Sequence, residues 1–263
     1  FSTREFFVLS TVAPSLGLKF EDEELPFSVL PENKLSPQDV MAYYRQTYEG
    51  TEFDMTKDLK VTRKTKDKDG NELEIEETSP IANPWMSRDL MNLLNGLEEG
   101  TVERQRAIAI PFCSYSHIIQ LKKNRPEGLT GVAWLALDNP GESPRFPVFT
   151  GTMSLPESFD ICGQHQFRMD AALWNYRRAN RLATVKWQDG RKEIEKHVFG
   201  FEKRAFAELP AIEQTATNLY LQDTSEEKLL YKKYLTQYTH DFANATIFKW
   251  KEIGDLFFHK WAR

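Results

Sequence analysis

The 263 residues carry 34 Lys and Arg against 39 Asp and Glu, a formal charge of -5, with 40% hydrophobic content, enough to bury a core without disulfide or metal staples. An acidic balance gives no footprint for a nucleic-acid partner, which requires a clustered excess of Lys and Arg. No apolar run approaches the ~20 residues that span a bilayer.

The opening residues, "FSTREFF", show no basic start, apolar middle and small-residue cleavage site of a secretory leader. With no initiating Met, the chain reads as a processed or partial polypeptide. The first clear helix start is "KLSPQDVMAYYRQTYEG". Ser36 accepts from a first-turn N–H, Pro37 suits the first helical position, and Asp39 sits at the positive end of the helix. Gly50 is the expected stop. Glu49, Glu52 and Asp54 gather just beyond, in a loop where acids are solvated or hold a substrate amine. Next, "LKVTRKTKDKDGNELEIEE" places two alternating runs about Asp69-Gly70, the short-range signal of a β-hairpin.

Three β patterns follow: "RAIAIPFCSYSHIIQLKK", "TGVAWLALDNP" and "RFPVFTGTMSLP". They are close in sequence and bounded by Gly or Pro, so antiparallel pairing is expected, with a bulge or strand end at Pro111. From Met169 the pattern turns helical, with Ala172, Tyr176, Ala179 and Ala183 on one side. Two long helices are expected from about Arg191 onward. Thr224 and Glu227 form a capping box for the second, and Tyr231, Leu235, Tyr238, Phe242 and Ala245 make a packing seam along it. The fold class is α+β, with antiparallel sheets and a helical C-terminal tail.

No residue set is catalytically complete by itself. Cys113 is the tempting nucleophile, with His117 four residues away. On a regular strand, however, those positions stand roughly 13 Å apart, too far for a hydrogen bond. No GxSxG, SxxK, GxGxxG or P-loop occurs. Cys113 and Cys162 have no CxxC spacing, and the five His (117, 165, 197, 240 and 259) have no paired-ligand spacing. Neither a metal nor an organic cofactor is expected.

Several phrases in order, "YEGTEFDMTKDL", "RAIAIPFCSYSHIIQLKK", "GVAWLALDNP" and "PVFTGTMSLPESF", resemble the later part of the C69 dipeptidases, the group that includes the secernins, relatives of choloylglycine hydrolase among the N-terminal-nucleophile hydrolases. The likeness runs from about Val12 to Trp187, with a weaker helical echo beyond. The resemblance implies a four-layer αββα sandwich, and a cysteine at the mature N-terminus that cuts amide bonds with its own α-amino group as base. An α-amino pKa near ~8 makes that proton transfer feasible at neutral pH. This chain departs from the pattern at its start, where Phe1 stands and no cysteine is near.

The expectation is therefore a cysteine-type dipeptidase whose nucleophile lies on an upstream segment of the same polypeptide, these residues supplying pocket walls. The alternative is a non-catalytic binding or structural module derived from that fold. Residues 1–187 would belong to the sandwich and 188–263 to a helical tail packed on it. Candidate substrate contacts are Arg106, whose fork suits a peptide carboxylate, Cys113, Ser114, Ser116 and Asp54. The expected partners are a dipeptide or small amide, the upstream segment, and a second copy joined through exposed strand edges, with no nucleic acid and no membrane span. Relatives occur inside and outside cells, which leaves localisation open with a lean toward export.

Overall fold

The computed structural model describes residues 2–261, which fall into two compact units. The first takes the chain up to Ile110 together with Lys186–Gln188; the second takes Pro111–Val185 and the chain from Asp189 onward.

In the first unit, α1 (Thr3–Val12) opens on Ser2, whose side chain accepts from the Glu5 N–H while the Glu5 carboxylate accepts from the Ser2 N–H. The same reciprocal cap starts α2 (Pro37–Tyr44), where Ser36 and Asp39 exchange bonds as their spacing predicts. Gly50 does not end this helix. It stops at Tyr44, and the chain reaches Gly50 through turns in which Tyr48 adopts a φ of 67°. A non-glycine residue is uncommon in that region, and here the Tyr48 ring is held in the core with Phe6 and Phe53. Strands β1 (Lys60–Lys66) and β2 (Glu72–Thr78) pair antiparallel, with Gly70 at φ 87° in the turn. On one face Lys64 lies across from Glu74 and Lys66 from Glu72, so one strand carries the lysines and the other the glutamates. Helix α3 (Arg88–Leu97) packs Met91 against Met55, Met86 and Val102.

The run from Arg106 is not one strand. Regular pairing begins only at Tyr115, because the backbone of the earlier segment is engaged elsewhere. The Ala109 N–H donates to the Gln46 carbonyl, Trp85 Nε1 donates to the Ala109 carbonyl at 2.8 Å, and the Arg4 guanidinium donates to the carbonyls of Arg106 and Ala107. Pro111, which has no N–H to give a ladder, follows directly.

The second unit is built on a three-stranded antiparallel sheet in the order β3 (Tyr115–Leu121), β4 (Gly131–Leu137), β5 (Phe146–Phe149). Its inner face carries Val132, Trp134 and Ala136, all buried. Helix α4 (Ala172–Ala183) lies against α6 (Leu229–Trp261), and α6 against β5. Trp134 stacks on Phe206 of α5 (Trp187–Gln222) at 4.2 Å between ring centres. The seam on α6 uses Tyr231, Leu235, Thr239, Phe242, Thr246 and Trp250. The expected capping box at Thr224 is replaced by Asp223, which accepts from the N–H groups of Ser225 and Leu230; helix α6 therefore starts later, at Leu229. The α+β class, the antiparallel pairing and the helical C-terminal part are as expected.

The outer face of the sheet is different. Tyr115, Ile119 and Leu121 of β3 point outward and are 57%, 61% and 81% exposed. The half-buried Ala133, Leu135 and Leu137 continue this apolar face on β4, and β3 is an edge strand.

Candidate functional site

At the start of β3 the second unit has a cleft of about 290 Å³, with Ser114, Tyr115, Leu137, Phe159, Cys162 and Gln164 among its walls. Ser114 Oγ accepts from the Gln164 amide at 3.2 Å, and Cys162 is an exposed free thiol. The arrangement offers a hydroxyl, an amide and a thiol against aromatic and aliphatic walls. That is the mix of few polar and many apolar groups expected for small-molecule recognition.

A buried polar network holds this wall in place. The Ser114 carbonyl accepts from the Asp138 N–H at 3.1 Å, and the Cys113 carbonyl accepts from Arg177 Nη2 at 3.1 Å. Asp138 follows the last residue of β4 and has a φ of 60°. Its carboxylate, fully buried, accepts from Arg177 Nε at 2.7 Å and Asn180 Nδ2 at 3.0 Å. Asn180 also donates to Ser143 Oγ and accepts from Trp250 Nε1. Glu142 is buried in the same turn and accepts from the Asn139 side chain. Burial pushes the Asp138 carboxyl above its ordinary range against the opposing pull of Arg177. It pushes Glu142 further, with the Asp138 charge adding to the effect.

The candidate residues occupy different settings. Ser114 faces the cleft. Ser116 is buried on the inner side, where its Oγ accepts from Arg145 Nη2 at 3.2 Å. The half-buried Cys113 thiol donates to the Tyr115 carbonyl at 3.0 Å, and burial raises its pKa. His117 is on β3 and stacks with Tyr115, with ring centres 6.0 Å apart, so the two residues Cys113 and His117 form no catalytic pair. Asp138, Glu142, Arg145, Arg177 and Asn180 were not singled out as site residues from sequence. The signal available was the run "DNPGESPR", in which three charged residues follow an apolar strand, facing a helix that repeats arginine.

Arg106 and Asp54 belong to the first unit. Asp54 closes its own loop, accepting from the N–H of Gly50 and from the N–H and hydroxyl of Thr56. Glu49 accepts from Trp187 Nε1 and the Gln188 side chain. The Arg106 side chain is exposed, and its carbonyl accepts from Arg4 Nε at 3.2 Å and the Tyr48 hydroxyl at 3.4 Å. Burial pushes the Tyr48 phenol up to about 12. Among the described residues no group of three or more His, Cys, Asp or Glu side chains is placed to hold a metal ion, and no helix is long and apolar enough to cross a membrane.

Comparison with known proteins adds the family. A probable dipeptidase of Latilactobacillus sakei is 26% identical over 146 residues, which cover 56% of this chain and 23% of that relative. The match therefore spans under a quarter of the relative's length. The sequence pattern of peptidase family C69 matches residues 2–199. This chain belongs to peptidase family C69.

Proposed function

We propose that the protein is a cysteine-type dipeptidase, and that these residues form part of its substrate pocket while the attacking thiol is borne by polypeptide outside them. The observation that carries the reading is the family match over residues 2–199. The relative named a probable dipeptidase supports the substrate class.

The finer reading, an N-terminal cysteine whose α-amino group takes the thiol proton, is supported by the state of the cysteines present. A nucleophilic thiol needs a base or positive charge that lowers its pKa. The Cys113 S–H instead donates a hydrogen bond to the Tyr115 carbonyl, and burial makes the thiol less acidic. The exposed apolar residues Tyr115, Ile119 and Leu121 of β3 support a second sheet packing on that face, as the αββα sandwich requires.

The test is the mature N-terminal sequence and intact mass of the natural polypeptide, with dipeptide hydrolysis measured before and after iodoacetamide. The expected result is an N-terminal cysteine and activity abolished by alkylation. A natural polypeptide that starts at Phe1 and leaves dipeptides intact would support the non-catalytic module instead. Hydrolysis that survives alkylation would overturn the thiol mechanism.

A further inference from the structure

The wall of the cleft opposite Ser114 is a loop, residues 161–167, in which only Gly163 is buried. Both ends of this loop are fixed. Before it, Phe159 packs edge-on against Phe146 of β5, with ring centres 5.6 Å apart. After it, the Met169 carbonyl accepts from Asn175 Nδ2 at 3.0 Å. In between, residues 161–167 make no backbone–backbone hydrogen bond among the described residues. A segment held so sparsely opens locally at little cost in free energy.

The middle of the loop is tied to one side chain, Trp174 of α4. Its indole Nε1–H is shared between the carbonyls of Gly163 at 2.6 Å and Gln166 at 3.0 Å, a three-centre bond. Phe167 packs edge-on against the same indole, with ring centres 5.0 Å apart. Residue 163 has to be glycine for this approach, since an added Cβ would lie 2.9 Å from Trp174 Cδ1.

The gathered turn carries Gln164 across the mouth of the cleft, where its amide donates to Ser114 Oγ at 3.2 Å. Three residues on from Trp174, Arg177 lies over the indole at 5.8 Å and donates to the Cys113 carbonyl. Positions i and i+3 are neighbours on a helix surface. Both lips of the cleft, 113–114 and 163–166, are therefore held from adjacent side chains of α4.

We propose that residues 161–167 form a flap that closes the cleft, and that Trp174 is its latch, a positioning residue that acts through Gly163 and Gln164 without touching the substrate. Opening breaks the contact of Gln164 with Ser114 and leaves both fixed ends in place. Closing shuts the occupant of the cleft away from water. The link to turnover rests on the proposed dipeptidase reading; the latch itself does not.

The experiment compares the natural full-length polypeptide with its Trp174→Phe and Gln164→Ala variants. Phenylalanine keeps a ring for Phe167 and Arg177 to pack on but has no N–H, so the open flap should be populated about three- to tenfold more, the effect of losing one hydrogen bond. Native-state trypsin treatment followed by mass spectrometry reads this directly. Cleavage after Arg168, at the base of the flap, should accelerate by about that factor in Trp174→Phe, with the urea midpoint nearly unchanged. In dipeptide hydrolysis both variants should raise KM about three- to tenfold and leave kcat within about twofold, the mark of lost binding and intact chemistry. A generally damaged fold would instead lower kcat and the urea midpoint together. Gln164→Ala, a change at an exposed residue, carries the KM test independently of folding. Cleavage after Arg168 at the wild-type rate in Trp174→Phe would overturn the flap, and KM unchanged in both variants would overturn its closure over substrate. A protein inert toward dipeptides would lose its proposed function, and the trypsin rates would still decide the latch. One that hydrolyses dipeptides with both readouts unchanged keeps its function and loses only the latch.

Discussion

Replacing Arg177 by alanine removes the charged partner of Asp138, whose side chain has no exposure at all. A pair at contact attracts by roughly 4 kcal/mol at an effective dielectric near 20. Truncating one member of a buried pair typically costs about 3–5 kcal/mol, because the survivor is left uncompensated. Arg177 retains 19% exposure, so water can reach part of the space that its truncation opens. Asn180 also still donates to Asp138. Both features put the expected loss near the low end, about 3 kcal/mol. The Asp138→Ala, Arg177→Ala double variant should lose less than the two single losses added together, with a coupling of at least ~1 kcal/mol. Urea unfolding of wild type and the three variants measures this directly, at constant pH and with m compared throughout. Additivity within about 0.5 kcal/mol, or a single-variant loss below about 1 kcal/mol, would refute the claim that this pair holds the wall of the cleft.

Glu142→Gln tests the other buried carboxyl through its pH dependence. A carboxyl whose folded pKa lies above its unfolded value binds a proton on folding, so its contribution is present at low pH and is lost as pH rises through the folded pKa. Glu142 is raised well above 4.5, chiefly by burial. The glutamine variant should therefore match wild type near pH 4 and become relatively more stable above it, by at most about 1.4 kcal/mol per pH unit; parallel profiles would contradict this. Gly128→Ala should cost more than about 2 kcal/mol in thermal unfolding, since φ is 79° and an added Cβ would lie 2.6 Å from the Tyr231 ring. Ile119→Lys should leave urea stability within about 0.5 kcal/mol, as expected for an exposed site, and reduce self-association of the 263-residue chain in light scattering. Unchanged association would mean that the outer face of β3 is not the sticking surface.

Local features were the most legible in the sequence. Ser36-Pro37 and Asp69-Gly70 act through bonds to near neighbours, and both are found where their chemistry predicts. The long helices were legible through period alone. What failed depended on distant partners. The stretch after Arg106 has strand alternation, yet Gln46, Trp85 and Arg4 claim its backbone. Thr224 and Glu227 have the spacing of a cap, but Asp223 takes the helix N–H instead. The support of the cleft was least legible, because the meeting of Asp138, Arg177 and Asn180 depends on a turn and a helix some forty residues apart in sequence.

The hairpin of the first unit has an ionic handedness. Its two outer rims differ, one strand bearing Lys60, Lys64 and Lys66 and the other Glu72, Glu74 and Glu76. Joining two such hairpins about a two-fold axis would set lysine against lysine or glutamate against glutamate, which cross-strand electrostatics oppose. Unlike rims could meet only head to tail, so this exposed ribbon resists symmetric strand addition without a proline or a covering helix.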